Sequence, residues 1–337
     1  MKKQKKLKTI LLSMIILLGL VSCGVNNEDT QNNSLNSQSE TSTNSHYPVT
    51  ITTYNYEKEP IEITFNKAPE KIVAIYQNSI ETMLALGLED KIVSAAGLDH
   101  DVKDEYKDAF SKVDYLEDFT PSKETIIMKK PDFILGWHSL FNEKNLGDVD
   151  YWIENGVNTY ISLNSGISDE RTIENEITDI LNIGKIFNVE DKAQSLVDNI
   201  NSKVEEITSN VSDEQKQSAM VIEYFDDDIY TYGSKTLAGD MVTKLGGDLL
   251  NPQGGNIGAE DLINLNPDCI FVSYMDRGDE NVPLEEVNKI LNNPSFASLS
   301  AVKNKRVYPI PLGDMYSSGI RTIDGINTFA NGLYGYE

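Results

Sequence analysis

Aromatic side chains recur where apolar runs end. Tyr76 closes Lys71-Ile-Val-Ala-Ile-Tyr76, and Trp137 with His138 follows Asp132-Phe-Ile-Leu-Gly136. Tyr224 closes Ala219-Met-Val-Ile-Glu-Tyr224, Tyr274 closes Cys269-Ile-Phe-Val-Ser-Tyr274, and Tyr230, Tyr232 and Tyr316 fall in nearby loops. Each ring offers a flat apolar face, most with a polar tip. Several converging on one cleft would make a cradle for a large, partly apolar ligand. Catalytic signatures are missing. There is no Gly-x-Ser-x-Gly elbow, no His-Glu-x-x-His and no Walker P-loop. Gly233-Ser-Lys-Thr236 lacks the earlier P-loop glycine, and Ser234 or Thr236 reads as a helix cap. Gly254-Gly-Asn-Ile-Gly258 reads as a turn. A bare zinc or manganese site would need several His and carboxylates together. The chain has only His46, His100 and His138, so no metal site is expected.

The apolar runs that end in these rings, 71–76, 132–136, 219–224 and 269–274, are strand-like, and 92–96, 157–161 and 306–310 are further strand-like runs. Helical patterns lie between them, at Ser79 (as cap) to Leu86, Asp169 to Phe187, Leu237 to Leu245 and Ile320 to Tyr334. Alternating strand and helix predicts an α/β fold with largely parallel sheets and ligand contacts at strand C-termini. Thr50 to Phe65, broken at Glu59-Pro60, predicts a lead-in hairpin. Between the two sets of strands, Ala193, Leu196, Val197, Ile200, Val204 and Ile207 form one stripe of a helix over Asp191–Asn210, with Asn188 as its cap. Similar material flanks that helix. Glu124, Ile127, Pro131, Asp132 and Ile134 are matched in register by Glu260, Ile263, Pro267, Asp268 and Ile270. A repeated helix-Pro-Asp-strand unit predicts two related lobes joined by a stiff strut.

The chain opens with Lys2, Lys3, Lys5, Lys6 and Lys8, an apolar Ile10–Val21, and Leu20-Val21-Ser22-Cys23. That is the pattern of a bacterial lipoprotein signal, with Cys23 as the lipidated N-terminus. A polar stretch with almost no large apolar residue follows, a composition expected of a tether rather than a core. The expected organisation is a signal peptide over 1–22, a lipidated tether over 23–46, an N-terminal lobe over 47–188, the connecting helix over 189–211 and a C-terminal lobe over 212–337. The formal charge of −24 becomes −29 once the five signal lysines are removed, which excludes nucleic acid as a partner. Cys269 is expected to be a buried small apolar residue, and no disulfide is available.

In order along the chain stand the lipobox, the tether, the hairpin, Ala68-Pro69-Glu-Lys-Ile-Val-Ala, Leu86-Gly87-Leu, Glu124…Pro131-Asp132, Gly233-Ser…Leu237-Ala-Gly-Asp, Leu245-Gly-Gly and Glu260…Pro267-Asp268. Together they resemble the substrate-binding lipoproteins of ABC importers for iron-siderophores, haem and cobalamin, over nearly all of 47–334. The resemblance implies a class III periplasmic-binding-protein fold: two Rossmann-like lobes bridged by one long helix. It implies a monomer, not an enzyme, without a resident cofactor, anchored outside the cell membrane by the lipid on Cys23. The implied partner is an ABC permease dimer with its ATPase, docked through Glu124 and Glu260. Trp137 matches a ligand-contacting aromatic, and Arg321 an Arg that meets an anionic ligand group. The expected ligand set is Tyr76, Trp137, His138, Tyr224, Tyr274, Tyr316 and Arg321. The lead-in hairpin points to a ferric siderophore as ligand. Haem competes, since Tyr76, His138, Tyr224 or Met275 could serve as an axial ligand. Cobalamin is the remaining alternative.

Overall fold

The computed structural model describes residues 46–212, 215–225 and 228–336. The expected signal peptide, the tether up to residue 45 and Cys23 lie outside them. No helix among the described residues is long and apolar enough to cross a membrane.

Strands β1 (Val49–Tyr54) and β2 (Pro60–Phe65) form the lead-in hairpin, antiparallel and in unbroken register. The first lobe carries β3 (Ile72–Ile75), β4 (Ile92–Ala96), β5 (Phe133–Gly136) and β6 (Asn158–Ile161), all parallel in the order β4-β3-β5-β6. β3 and β5 are buried throughout, as strands covered on both faces must be. The second sheet holds β7 (Ser218–Phe225), β8 (Asp228–Thr231), β9 (Asp248–Leu249), β10 (Gly255–Ile257), β11 (Cys269–Tyr274) and β12 (Val307–Pro311). Here β7, β11, β12 and the short β9 are parallel, but β8 runs antiparallel beside the end of β7 and β10 runs antiparallel beside β8. The second sheet is therefore mixed. Its extra hairpin was invisible as periodicity because its strands are only four and three residues long.

Eight helices have seven or more residues among the described residues: α1 (Gln77–Ala85), α2 (Lys123–Lys129), α3 (Ile173–Phe187), α4 (Glu190–Asn210), α5 (Leu237–Lys244), α6 (Ala259–Leu265), α7 (Val282–Leu291) and α8 (Thr322–Tyr334). α4 is the expected strut. It buries Ala193, Val197, Ile200 and Ile207 and packs between α3 and α8. Its approach to α3 is close enough to need a glycine, since a Cβ on Gly184 would lie 2.4 Å from that of Ala193. One apolar cluster joins β1, β3 and β5 through α3 and α4 to α5, α8, β7 and β11. The outer face of each sheet has a cluster of its own.

Several expected helix ends move. Asn188 caps the C-terminus of α3 in the left-handed conformation (φ 55) instead of starting α4, whose N-cap is Val189. Ser79 lies inside α1, which begins directly after Tyr76. α3 starts at Ile173 with Thr172 as cap, leaving residues 169–171 as loop. Gly319–Arg321 is a 3-10 turn leading into α8. Of the two candidate caps before α5, Thr236 is the one used, accepting from Gly239 N at 3.1 Å.

The repeated segment is a repeated structure. α2 and α6 are each seven residues long, carry Glu124 and Glu260 at their second position, bury Ile126 and Leu262, and end on left-handed Lys130 and Asn266. Each aspartate after the proline then clamps the start of the neighbouring strand. The Asp132 carboxylate accepts from Glu70 N (2.9 Å) and Lys71 N (2.8 Å) before β3. The Asp268 carboxylate accepts from Ser218 N (2.9 Å) and Oγ (2.7 Å) at the start of β7. Cys269 follows at full burial, and that burial pushes its thiol pKa up to about 12. Native protein should therefore resist thiol reagents, and Cys269→Ala should lower unfolding free energy by about 1–3 kcal/mol in urea titrations. Rapid labelling of the folded protein would contradict this placement.

Candidate functional site

A cleft of about 690 Å³ opens between the lobes, within the usual range for small-ligand sites. Its aromatic wall is a ladder. Tyr76, held at φ 74 where β3 hands over to α1, backs the Trp137 ring at 4.5 Å. Trp137 meets Tyr316 of the second lobe at 5.4 Å, and the Arg171 guanidinium lies 4.2 Å from the centre of the Tyr316 ring. The indole N–H of Trp137 donates to Asn78 Oδ1 at 2.7 Å, so the ring is fixed from behind. Tyr230, Tyr232, Phe225 and Met275 complete the apolar lining. Three cations line the same cleft: Lys58 from the β1–β2 turn, Arg171 from the loop before α3, and Lys235. None of the three forms a salt bridge among the described residues.

Strand parity decides which side chains of β7 face the cleft. Successive side chains alternate faces. Met220, Ile222 and Tyr224 therefore share the outer cluster, where the ammonium of Lys289 lies 5.3 Å from the Tyr224 ring centre. Burial pushes the Tyr224 hydroxyl up to about 12. Glu223 and Phe225 face the cleft instead. Glu223 is 6% exposed and accepts a hydrogen bond from Tyr232. Burial raises its carboxyl above the ordinary range, with Tyr232 partly offsetting the shift.

Of the expected ligand set, then, Trp137 and Tyr316 line the cleft and Tyr76 supports them. Tyr224 occupies the opposite face of its sheet, and Tyr274 packs edge-to-face on His100 (5.6 Å). His138 lies against the hairpin, its ring stacked on Tyr56 at 4.7 Å. Arg321 is 8% exposed and fully engaged. It donates to Glu81 through Nε and Nη2, to Asp314 Oδ1 (3.3 Å) and to the Asp101 carbonyl (2.8 Å). Burial opposes its charge, but Glu81 and Asp314 more than compensate and hold its pKa above the ordinary value. The arginine facing the cleft is Arg171. The expected helix start at Asp169 hid it, because the helix begins only at Ile173 and Arg171 lies in the loop before it. Lys58 and Glu223 carried no signal of their own.

The Arg321 cluster belongs to a polar seam between the lobes. Glu176 of α3, fully buried, accepts from Ser318 N (3.0 Å) and Gly319 N (2.7 Å), with Asn164 Nδ2 at 2.7 Å. Gly319 is needed there, because its φ is 55 and a Cβ would lie 2.7 Å from Thr82 Oγ1. Asn78 reaches Ser317 (3.3 Å), Lys103 reaches Asp324 (2.8 Å) and the Asp240 carboxylate accepts from Ile173 N (2.8 Å). No group of three or more His, Cys, Asp or Glu suited to a metal ion occurs among the described residues.

The sequence matches the family described as "Periplasmic binding protein" over residues 72–312. It is 26% identical over 294 residues to an uncharacterized ABC transporter substrate-binding lipoprotein of Bacillus subtilis, covering 86% of each chain. It is 25% identical over 325 residues to the petrobactin-binding protein YclQ of the same organism, covering 94% of each. A solved periplasmic binding protein from Veillonella parvula is 34% identical with a TM-score of 0.78, over 85% of this chain and 92% of that one.

The seam gives a pH dependence with a definite sign. Burial pushes the Asp314 carboxyl up to about 7, Arg321 offsetting only part of the shift. A carboxyl raised on folding stabilises the native state fully below its unfolded pKa of about 3.9, and that contribution disappears as pH rises through the folded value. Asp314→Asn carries no such titration. The stability advantage of wild type over Asp314→Asn should therefore shrink between pH of about 4 and about 7, read from urea midpoints. A gap that stays constant over that interval would show that Asp314 is ionised throughout.

Proposed function

This chain belongs to the periplasmic binding protein family, and we propose that it is the lipid-anchored substrate-binding component of an ABC importer for a ferric siderophore. Family membership makes it a binding protein and not an enzyme. The observation that carries the ligand reading is the cleft itself. In a chain with 53 acidic and 29 basic residues, three cations that form no salt bridge among the described residues line one aromatic-walled cavity. A large chelate with apolar faces and anionic groups suits both features. The petrobactin-binding relative supports the same ligand class. In this reading Trp137 and Tyr316 provide the stacking surface, Tyr76 braces them, and Arg171 takes the anion-binding role that the sequence had suggested for Arg321.

Delivery follows from the duplicated surface. Glu124 and Glu260 are exposed at matching positions of matching helices, one on each lobe. Such a pair suits two equivalent cationic pockets on a permease dimer. The lipid on Cys23 and the polar tether would keep the body within reach of that partner.

Two measurements check the proposal. Titration of the soluble body with ferric catecholates, ferric hydroxamates, haem and cobalamin should quench tryptophan fluorescence with a ferric siderophore. That quenching should be largely lost in Trp137→Phe and kept in Trp152→Phe, since Trp152 is buried in the first lobe. Arg171→Ala should weaken an anionic chelate by about 1–3 kcal/mol. A Soret shift with haem and silence toward every siderophore would replace the ligand. In cells, the Glu124→Ala/Glu260→Ala double variant should lose uptake while its purified form keeps the wild-type Kd. Full uptake by that variant would remove the docking assignment.

A further inference from the structure

The cleft has a third wall that belongs to neither sheet. The turn between β1 and β2 is a closed five-residue loop. Asn55 N donates to the Glu59 carbonyl (3.0 Å), Lys58 N to the Asn55 carbonyl (3.1 Å), and Asn55 Oδ1 accepts from Glu59 N (2.8 Å). Lys58 sits at φ 67, a left-handed position an L-residue occupies at some cost, and its side chain lines the cleft. The hairpin is also fastened to the cleft wall. The Tyr56 ring stacks on the His138 imidazole at 4.7 Å with 6° between planes. The His138 Nε2–H donates to the Tyr56 carbonyl at 2.6 Å. His138 directly follows Trp137, and its own N–H donates to Ser165 Oγ at 2.9 Å. Below this, β1 buries Val49, Ile51 and Thr53 on the lobe, and Ile161 N donates to Thr53 Oγ1 at 3.3 Å. The turn is thus seated at both its base and its tip.

We infer that the hairpin tip is part of the ligand site: Lys58 is a specificity-determining contact for an anionic group of the ligand, and His138 is the positioning residue that holds it there. The inference rests on the reading of the cleft as a chelate site. It assigns His138 a task different from the axial or direct ligand contact expected from sequence. A five-residue turn left to itself would spread Lys58 over many positions, and each would have to be frozen on binding. The flat stack and the Nε2–H bond hold the turn in place beforehand, at the residue next to Trp137 of the aromatic wall. Charge selection and ring stacking are therefore set by two consecutive residues, Trp137 for the face of the ligand and His138 for its charge.

The test uses two ferric chelates of similar size and different charge, a trianionic tris-catecholate and an uncharged trihydroxamate, with Kd read by tryptophan quenching and off-rates by stopped flow. Lys58→Gln should lower the preference for the trianion over the uncharged chelate by about tenfold or more, the scale of one charged hydrogen bond. His138→Ala and Tyr56→Ala should lower the same preference several-fold, mainly by raising the trianion off-rate. Combined with Lys58→Gln, His138→Ala should add little further loss of preference, because both act on the one contact. Additive losses in the double variant would reduce His138 to a general support for the wall. An unchanged preference in Lys58→Gln would remove the hairpin from the site while leaving the cleft reading intact. Failure of wild type to bind either chelate would instead overturn the cleft reading, and this inference with it.

Discussion

A guanidinium without solvent is unstable unless every nitrogen is answered, and the architecture between the lobes is arranged around that requirement. Arg321 comes from the turn before the last helix. Its main partner Glu81 lies 240 residues away in α1, and Asp314 closes the third side. Removing Arg321 would leave Glu81 and Asp314 buried without their cation, which costs far more than an exposed pair is worth. Glu176 repeats the theme with backbone donors, accepting from two consecutive amides of the opposite lobe. Both contacts depend on groups buried on both sides, so they form only when the lobes take one relative position. The strut α4 fixes the spacing of the lobes, and the seam fixes their angle.

The cleft inherits its geometry from that seam. Asn78 both accepts from the Trp137 indole and donates across the boundary to Ser317, next to Tyr316. One amide therefore ties the ring from the first lobe to the segment carrying the ring from the second. Arg171 is placed by the start of α3, whose first amide is held by Asp240 of the second lobe, and its own N–H donates to the Lys235 carbonyl at 3.0 Å. Two of the three cleft cations are thus positioned through one backbone contact between lobes.

How much of this the sequence disclosed follows from the range of each interaction. The α/β class, the strut and the duplicated Glu–Pro–Asp segments are written in periodicity and register, which are local, and they were legible. The strand ends were legible too, but a single residue of parity separates a side chain facing the ligand from one facing the outer core. That parity exchanges Tyr224 for Glu223. The cations were lost for a different reason. Arg171 depends on where α3 starts: the pattern placed that start at Asp169, whereas the helix is capped by Thr172 and leaves Arg171 in the loop. Lys58 reaches the cleft through a stack between residues 82 positions apart. Arg321 looked like a ligand residue because it matches an arginine that meets an anionic ligand group in the family the sequence resembles. The carboxylates that answer it are distant in sequence and adjacent only in the fold.

The placement of positive charge also sets the timing of capture. The chain as a whole is negative by 24 charges, whereas the mouth of the cleft is lined by Lys58, Arg171 and Lys235. In dilute medium the long-range field of the body would push an anion away before it felt those three groups. At physiological ionic strength screening shortens both fields to about 8 Å, and an anion in the cleft then meets Lys58, Arg171 and Lys235, with only Asp169 and Glu223 as acids in the same lining. Encounter should quicken with added salt while residence shortens, the reverse of a basic protein meeting the same anion. The organism's ionic surroundings would then select between fast collection and firm retention without a change in a single residue.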